Sequence, residues 1–413
     1  MKPLRVLLLT VYYEPEITAV ATYVSQVVKD LARQGCEVQV VAPMPTRDVD
    51  KQTRLAYRKR PLEVQEEGRL RIRRVYVPFR EPRKMMARAL RYALVMLVLF
   101  GQALFRPADV VLLFSAPPLF GLLGAALRVF RRTPVVYYLQ DIFPDSMINS
   151  GVSTSRWPVV LGKWMERVTY RAANRIIVIC RDFRDNLLRK GVNAEKMDLI
   201  YNWVDENAVQ PVPRAQNCLV ERLGLDPDAF YVTYSGNVGH TQNLEMMVDA
   251  AVALKDRREI RFLIIGNGAY EAAIKAYAAG KCADNVDFVP FQDVKDISHV
   301  LSIGDVGVIL SKRNIGRNSF PSKTWSIMAA ERPLIASFDM DSELRDIIAQ
   351  ADCGFYVPPD DCDAFVKAIL RLYGDRQLCQ RLGCNGRRFI EQNLTRAYGT
   401  TKVHNVMHKA AGR

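Results

Sequence analysis

The sequence predicts an α/β protein made of two Rossmann-like, doubly wound domains that face each other across a cleft. Its 413 residues are too many for one typical core and suit two domains of about 150 to 200 residues each. Short apolar runs rich in β-branched residues alternate with longer helical segments, and this alternation is typical of a parallel sheet covered by helices. The alternation restarts after a proline-bearing stretch at about 203–215, so each half has its own set of strands.

Each half contributes six predicted strands. They follow in the order 4–10, 37–42, 71–77, 109–114, 134–139 and 175–180, and then 230–235, 261–265, 286–289, 305–310, 333–337 and 354–357. This order predicts an N-terminal domain over 1–205, a C-terminal domain over 206–390 and a final helix within 391–413 that returns to the first domain. Ligands of open parallel sheets bind beyond the carboxyl ends of the strands, so function is expected in the strand-to-helix loops.

The composition excludes several classes of protein. Hydrophobic residues make up 49% and charged residues 25%, close to the average for globular proteins, so neither disorder nor a polytopic membrane protein is indicated. The eight cysteines show no CxxC pair and no Cys/His spacing typical of zinc sites, so we interpret them as reduced thiols. Glu14 and Glu16 follow the apolar start directly, and no small-residue cleavage site appears. A first buried strand is therefore favoured over a signal peptide.

The net charge of +14 is concentrated in one part of the chain. Residues 51–91 hold 14 Lys and Arg against four Glu, and an apolar stretch follows at 93–105, between Arg91 and Arg106. This stretch is shorter than the roughly 18 residues needed to cross a bilayer. The basic and apolar segment 51–106 is therefore predicted to face an anionic membrane surface. A core helix with a solvated basic face is the alternative, and nucleic acid is not expected because no binding motif accompanies the charge.

Two loops of the second half carry glycines directly after a predicted strand. Gly236 and Gly239 lie in the first loop, and Gly266 follows the next strand. Glycines let backbone amides approach a phosphate, and a helix N-terminus adds partial positive charge. These loops are candidate phosphate-binding elements, with plain strand-to-helix connections as the alternative. His240 lies in the first loop and is a candidate phosphate contact.

A third loop combines a proline, a hydroxyl group and a cation at a predicted helix start. Pro321 suits the first position of a helix, and Asn318 or Ser319 can cap it. Ser322 and Lys323 would then present a hydroxyl, free amides and a positive charge to a diphosphate. An ordinary capped helix with a solvated lysine is the alternative.

Taken together, these loops resemble those of retaining glycosyltransferase family four, which has GT-B architecture. Within it they are most similar to the branch of colanic acid, O-antigen and capsule transferases. The resemblance covers nearly the whole chain, and its motifs are specific as a set. They are YYEPE at 12–16, QDIFPD at 140–145, NWVD at 202–205, GNVG at 236–239, PSK at 321–323, MAA at 328–330 with Pro333, and DSE at 341–343.

The resemblance implies a nucleotide-sugar site in the second domain. Lys323 is then the main cation for the diphosphate, and Glu343 contacts hydroxyls of the ribose or the sugar. An equal alternative is that Glu343 caps its own helix. The implied donor-binding residues are Gly236, Asn237, Gly239, His240, Gln242, Gly266, Asn318, Pro321, Ser322, Lys323, Ser342 and Glu343.

The sequence also departs from the family pattern. The two glutamates of the broad family align with Asn318 and Ser326, and its arginine and lysine align with Asn237 and Gln242. A glycine of the first loop of the N-terminal domain aligns with Ala19. The donor site therefore has to differ in detail from that of the broad family.

In the first domain, a carboxylate that follows a strand can orient the acceptor hydroxyl or take its proton. The alternative is that such carboxylates only cap the helix that follows. The resemblance implies that the leaving diphosphate assists deprotonation, so that catalysis consists mainly of positioning and of stabilising an oxocarbenium-like transition state. The implied catalytic residues are Asp141, Gln140 and Asp145, and an implied donor or acceptor loop holds Glu16, Thr18 and Ala19.

These inferences predict a retaining glycosyltransferase that moves a sugar from a nucleotide-diphosphate donor, with UDP as the expected nucleotide, to a polyprenyl-diphosphate-linked saccharide in bacterial polysaccharide biosynthesis. A cytoplasmic protein, peripheral on the inner face of the cell membrane, is expected, with no cofactor and no obligatory metal. Asp339-Met340-Asp341 resembles the DxD metal motif of GT-A transferases, but it lies in a loop of the second domain. The alternatives are a nucleotide-sugar epimerase of GT-B architecture and a non-catalytic scaffold at the membrane surface.

Overall fold

A computed structural model describes residues 2–16, 18–46, 49–78, 85–149, 156–316 and 320–413. The chain divides into two compact units. The N-terminal unit comprises Met1–Tyr201 together with Ala397–Arg413, and the C-terminal unit comprises Asn202–Arg396. The first crossover therefore lies at residue 201, and the second lies at residue 396, within the last helix.

The N-terminal unit is built on an eight-stranded sheet in the order β3-β4-β2-β1-β5-β6-β7-β8. All neighbouring strands are parallel except β3, which is antiparallel to β4. Two inner strands, VVLLF at 110–114 and VVYYL at 135–139, are apolar along their whole length because helices cover both faces of such a sheet. The strands are β1 Arg5–Leu9, β2 Glu37–Pro43, β3 Leu62–Gln65, β4 Leu70–Val75, β5 Val110–Phe114, β6 Val135–Leu139, β7 Arg175–Val178 and β8 Met197–Leu199.

The helices of the N-terminal unit connect these strands and cover the sheet. Helix α1 follows β1 and buries the face that contains Val24, Val28 and Leu31. The helices are α1 Ala19–Arg33, α2 Lys51–Lys59, α3 Met85–Leu104, α4 Phe120–Arg131, α5 Asp145–Asn149, α6 Arg156–Ala172 and α7 Arg181–Arg189.

Two of these strands are absent from the sequence prediction. Strand β3 is an edge strand whose Leu62 and Val64 are exposed, so it lacks the apolar run of a buried strand. Strand β8 has only three residues. Both extend the sheet through backbone pairing with a neighbour, a contribution that hydrophobic periodicity does not reveal.

The C-terminal unit contains a six-stranded, fully parallel sheet in the order β11-β10-β9-β12-β13-β14. All six predicted strands are present, and the predicted α/β class with two Rossmann-like domains is confirmed. The strands are β9 Phe230–Ser235, β10 Ile260–Ile265, β11 Val286–Val289, β12 Val306–Leu310, β13 Leu334–Ser337 and β14 Gly354–Val357.

The helices of this unit pack on both faces of the sheet. The larger apolar core lies between one face of the sheet and helices that include α9 and α14. A smaller core includes residues of α8 and α11. The helices are α8 Cys218–Arg222, α9 Leu244–Ala253, α10 Glu271–Gly280, α11 Ile297–Ile303, α12 Lys323–Ala329, α13 Glu343–Ala351, α14 Cys362–Gly374 and α15 Arg376–Asn393. The last helix of the chain, α16 Arg396–Ala410, lies almost entirely in the N-terminal unit.

Helix α3 contains most of the apolar stretch 93–105. Val95, Leu99 and Ala103 are fully buried, whereas Leu97 is 68% exposed, so one face of the helix packs in the core. Within the described ranges, no helix has both the length and the apolarity required to span a membrane.

The basic part of segment 51–106 lies partly outside the described residues, which omit 79–84. Arg91 does not belong to the solvated basic face that the core-helix alternative predicts. It is only 2% exposed, and its guanidinium donates to Thr46 Oγ1 at 3.0 Å. The reason is its position on the turn of α3 that faces the sheet rather than the solvent.

Candidate functional site

Four loops of the C-terminal unit follow strands that are neighbours in the sheet. Strands β10, β9, β12 and β13 are consecutive in the strand order, and all are parallel. Their carboxyl ends therefore share one edge, and the loops that follow them form one surface. Most of the predicted donor-binding residues lie in these loops.

The glycine loops after β9 and β10 are held together by their backbones. Gly236 N donates to Ile265 O at 2.9 Å, and Val238 N donates to Asn267 O at 3.0 Å. A Cβ atom at Gly266 would lie 1.9 Å from Gly236 O, so no larger residue fits there without moving the backbone. Gly236 and Gly266 also have φ angles of 143° and 142°, a region that favours glycine. Gly266 therefore sets the close approach of the two loops.

Lys323, the first residue of α12, extends towards Gly236. Its Nζ atom lies 3.9 Å from the ring centroid of Tyr234, and a Cβ atom at Gly236 would lie 3.1 Å from Nζ. Tyr234 in turn donates through its hydroxyl to Asn237 O at 2.7 Å. One aromatic ring thus supports both the cation, through a cation–π contact, and the glycine loop.

Lys323 has no carboxylate partner among the residues that the structure describes. Burial lowers the pKa of Lys323 to about 7, because the ammonium group loses solvation that no anion replaces. A cation in this state is destabilised until an anion arrives. The site is thus electrostatically suited to a phosphate group.

The start of α12 differs from the sequence prediction. Pro321 is not at the first helical position, since the helix begins at Lys323 and Ser322 is its N-cap residue. The amides of Thr324 and Trp325 donate to the carbonyls of Pro321 and Ser322 at 3.0 and 3.2 Å. This tight 3₁₀-type turn provides hydrogen-bond acceptors for two backbone amides at the helix start.

The side chain of Ser322 makes no capping hydrogen bond, which leaves its hydroxyl available to a ligand. Asn318, assigned to the donor site, and Ser319, the alternative cap, lie outside the described residues. Ser326, the other position aligned with a family glutamate, lies within α12.

The start of α13 decides whether Glu343 is the helix cap. Ser342 is the N-cap residue, and its hydroxyl accepts from Leu344 N at 3.4 Å. Glu343 is the first helical residue and is 5% exposed. Ser342, not Glu343, caps the helix.

The remaining predicted residues of the glycine loop differ in exposure. Asn237 and His240 are exposed, and the His240 ring contacts Tyr270 with a centroid distance of 4.7 Å. Gln242 is half-buried, and its buried Oε1 atom has no hydrogen-bond partner among the described residues. Gly239 provides the space for it, since a Cβ atom there would lie 2.7 Å from Gln242 Oε1.

The sequence interpretation missed a second cation at this surface. Lys312 follows β12 closely, and its backbone N donates to Thr241 O at 2.9 Å. Its Nζ atom bonds Glu245 Oε1 at 3.0 Å. A lysine just after a buried strand, next to the glycine loop in the strand order, is the signal that could have identified it. Unlike Lys323, it is already neutralised.

The acidic motif after β13 has a structural role. The carboxylate of Asp339 accepts from the amides of Asn314 and Gly316, each at 2.8 Å. It therefore holds the loop between β12 and α12. Both carboxylate oxygens are used in this way.

In the N-terminal unit, Gln140 and Asp141 follow β6, as predicted. Gln140 N donates to Ser115 Oγ at 2.8 Å, and Asp141 Oδ2 accepts from Ser146 Oγ at 2.9 Å. The Asp141 side chain reaches the surface, yet the surrounding protein desolvates its carboxylate. This desolvation, with a smaller contribution from the charge of Asp145, raises the pKa of Asp141. A carboxylate of raised pKa is a stronger base, as proton abstraction requires.

Asp145, the first residue of α5, is fully engaged within the protein. It accepts from Lys190 Nζ at 2.7 Å and from Asn186 Nδ2 at 3.1 Å. These contacts connect α5 to the end of α7. Asp145 thereby fixes the 140–145 segment to α7.

The first loop of the N-terminal unit is also held by its own side chains. Glu16 is 5% exposed and accepts from Thr46 N at 2.8 Å. Thr18 is the N-cap of α1 and accepts from Ala21 N at 3.1 Å, and Ala19 is the first helical residue. Glu16 and Thr18 thus shape the loop after β1.

Two protein families match the chain. Residues 18–203 match the Glycosyl transferase 4-like domain, and residues 218–389 match the Glycosyl transferases group 1 family. A protein assigned as a colanic acid biosynthesis glycosyl transferase, WcaI of Escherichia coli K12, is 27% identical over 383 residues, which cover 89% of this chain and 91% of WcaI.

Solved structures share the fold at low sequence identity. Sucrose-phosphate synthase from Thermosynechococcus elongatus is 18% identical with a TM-score of 0.80, and the match covers 98% of both chains. HepE of Anabaena, solved in complex with UDP-glucose, is 14% identical with a TM-score of 0.74, covering 98% of this chain and 99% of HepE. The chain therefore belongs to the glycosyltransferases that combine a glycosyl transferase 4-like N-terminal domain with a group 1 C-terminal domain on the GT-B fold.

Proposed function

We propose that this glycosyltransferase uses a UDP-linked sugar and transfers it with retention of anomeric configuration. The observation that carries the donor proposal is Lys323, which faces a backbone loop opened by Gly236 and has no carboxylate partner in the described part of the chain. A diphosphate supplies the missing negative charge and accepts hydrogen bonds from loop amides. HepE, which shares the fold, was solved with UDP and with UDP-glucose, and this supports a uridine donor here.

We assign the remaining roles by chemistry. The hydroxyl of Ser322 and the carboxylate of Glu343 lie at the starts of the two helices that follow β12 and β13, where they are suited to phosphate and sugar hydroxyls respectively. Asp141 orients or deprotonates the acceptor hydroxyl, assisted by the leaving diphosphate. Retention follows from the family resemblance, with charge stabilisation of an oxocarbenium-like transition state as the main catalytic effect.

The acceptor that we propose is a polyprenyl-diphosphate-linked saccharide of a bacterial surface polysaccharide. WcaI, similar over most of the chain, is assigned to colanic acid biosynthesis. Such an acceptor keeps its lipid in a bilayer, so the enzyme has to work at a membrane surface. We place it on the cytoplasmic face, as a peripheral protein.

Helix α6 offers the surface for this attachment. Trp157, Val160, Leu161 and Trp164 have helical spacing and lie on one exposed stripe; Trp157 is 81% and Trp164 50% exposed. Indole side chains favour the interface between lipid headgroups and acyl chains. The exposed cations Lys163, Arg167 and Arg171 lie on the same helix and complement anionic headgroups.

The same helix contacts the segment that carries Asp141. A Cβ atom at Gly162 would lie 2.8 Å from Pro144 Cβ, so α6 packs closely on the QDIFPD motif. Attachment through α6 would hold the acceptor-side residues near the bilayer. We propose this surface in addition to segment 51–106, whose predicted membrane contact stays a prediction.

We expect Trp157→Ala combined with Trp164→Ala to weaken binding to anionic phospholipid vesicles on the order of 100-fold. Each indole that enters the interface contributes about 1–1.5 kcal/mol. Vesicle flotation over a range of lipid concentrations measures the change. Phe291→Ala is the matched control, since Phe291 is 56% exposed in the C-terminal unit and should not alter binding. Equal flotation of the double variant and the wild type would contradict the assignment.

The donor proposal is tested by incubating the protein with UDP-sugars, with and without lipid-linked acceptor. We expect transfer only when acceptor is present, apart from slow hydrolysis of the donor. NMR of the product should show a glycosidic bond with the same anomeric configuration as the sugar had in the donor. Conversion of free donor would instead identify an epimerase, and no reaction with any donor would favour a scaffold. We propose that transfer needs no added divalent metal, which the same assay with EDTA checks.

A further inference from the structure

Three metal-ligating side chains meet in the N-terminal unit, away from the residues proposed for transfer. The ligand atoms of Cys36, His404 and His408 all lie within 4.8 Å of one another. Cys36 is buried, and the two histidines are half-buried. Across the described ranges of the chain, this is the one group of three such ligands that lie so close together.

The fold places these residues together by two local devices. Cys36 precedes β2 directly, and its backbone N donates to Leu31 O at 3.0 Å, which fixes the turn after α1. His404 and His408 are four residues apart on α16, so they lie on one face of the helix, with ring centroids 4.4 Å apart.

Helix α16 is firmly seated in this unit. Val403 and Met407 are fully buried. At the end of the chain, Arg413 donates to Asp109 Oδ2 and to Lys2 O, each at 3.1 Å. The positions of the two imidazoles relative to Cys36 therefore follow from packing on both sides of them.

The three ligand groups are not engaged elsewhere. No described residue exchanges a hydrogen bond with the thiol of Cys36 or with either imidazole. A half-buried pair of imidazoles usually finds a hydrogen-bond partner. Here the two imidazoles face each other and the Cys36 thiol.

We propose that Cys36, His404 and His408 bind one Zn²⁺ ion. Thiolate and imidazole are the ligands that zinc prefers, and two histidines four residues apart on a helix present their nitrogens to one ion. Bond lengths of about 2.3 Å to sulfur and 2.0 Å to nitrogen place tetrahedral ligands roughly 3.3 to 3.6 Å apart. Side-chain rotations that move the ligand atoms by about an ångström would bring them to these distances. The thiol proton leaves to solvent on binding, and water takes the fourth position.

The expected consequence is structural. The ion would join α16, which follows the second crossover between the units, to the turn between α1 and β2. It is separate from the transfer reaction, for which we propose no metal. Linear spacing could not reveal this site, since its ligands come from opposite ends of the chain.

Titration of chelated, reduced protein with Co²⁺ tests the proposal. We expect a near-ultraviolet charge-transfer band from the Cys36 thiolate, with visible bands of a four- or five-coordinate ion, saturating at one cobalt per chain and lost when Zn²⁺ is added. Cys36→Ser should lack the charge-transfer band. His404→Gln and His408→Gln should each bind at least about tenfold more weakly.

Cys282→Ser is the matched control, because Cys282 is an exposed cysteine of the C-terminal unit and its loss should leave the spectrum unchanged. Zn²⁺, but not Mg²⁺, should raise the melting temperature of the wild type and of this control, increasingly at higher concentration. If Cys36→Ser unfolds the protein, the histidine variants decide, since their side chains are half-buried. No saturable cobalt band, or equal binding by the histidine variants, would overturn the proposal.

Discussion

Lys323→Met is expected to abolish measurable binding of a UDP-sugar and at the same time to raise the melting temperature of the protein. The ammonium group loses solvation without gaining a carboxylate partner, so the folded protein is destabilised by its charge. Removing it should increase stability by about 1–2 kcal/mol, roughly 2–6 °C for a domain of this size. Loss of the cation should weaken nucleotide binding at least about 100-fold. Calorimetry and thermal unfolding measure the two effects.

Lys312→Met is the matched comparison for this prediction. Lys312 belongs to the same group of loops but is bonded to Glu245, so its removal leaves a half-buried carboxylate unpaired. We expect a lower melting temperature and a smaller loss of affinity. If both lysine variants behave alike, Lys323 is not the specific diphosphate cation.

The pH dependence follows from the same environment. The pKa of Lys323 in the folded protein is lowered to about 7, so above pH 7 the free site becomes neutral, and affinity for a UDP-sugar should fall. The diphosphate of such a donor does not titrate in this range. Lys323→Arg keeps its charge at all these pH values and should show a flat profile. A wild-type affinity that is constant from pH 6 to 9 would contradict the assignment.

The difference in the pKa of Lys323 between the folded and the unfolded chain predicts the pH range in which Lys323→Met is more stable than the wild type. Below pH 7 the lysine is charged in both the folded and the unfolded chain, so the full cost of its burial is present. Between pH 7 and about 10.5 the folded protein releases the proton first, and the cost declines as pH rises. The stability difference between variant and wild type should therefore be largest below pH 7 and vanish near pH 10.5.

Asp141→Asn should lower the turnover number at least about 100-fold while the dissociation constant of the donor changes little. The change removes a proton acceptor and keeps the shape of the side chain, and general-base groups typically contribute 10²–10⁴-fold. Single-turnover kinetics with lipid-linked acceptor separates turnover from donor binding.

The pH profile of turnover provides the second measurement. Because desolvation raises the pKa of Asp141, wild-type turnover should fall on acidification as this carboxylate becomes protonated, at a higher pH than for an ordinary aspartate. The Asn variant should lose that limb of the profile. Asp145→Asn is the control, since it breaks the Lys190 contact and should lower stability more than turnover. A wild-type acid limb that persists in Asp141→Asn would assign the proton transfer to another group.

Most strands of both sheets could be predicted because they are short apolar runs flanked by polar or glycine residues. Strands β9, β11 and β14 have the predicted bounds, since turn-forming or polar residues flank each of these runs. The edge strand β3 could not be predicted in this way, because its exposed Leu62 and Val64 are explained by pairing with β4 alone.

The donor loops were predictable in kind but not in detail. Gly236, Gly266 and Lys323 stand directly after strands or at a helix start, and sequence position alone shows that. The sequence predicts Pro321 at the first helical position, but that position is Lys323 and Pro321 lies two residues before it. The carbonyls of Pro321 and Ser322 instead accept from Thr324 and Trp325 in a tight turn at the helix start. The pairing of Asp145 with Lys190 spans distant parts of the chain and left no local signal.

Two wound sheets, the ends of most of their strands, and the loops with glycines and a cation at those ends could be predicted from the sequence, since these features depend on neighbouring residues. The state of the side chains follows from tertiary contacts. These contacts leave Lys323 without an anion among the described residues, bury Arg91, expose the tryptophans of α6, and bring Cys36 to His404 and His408. Burial and charge pairing are properties of contacts between residues far apart in the chain, and the order of residues does not contain those contacts explicitly.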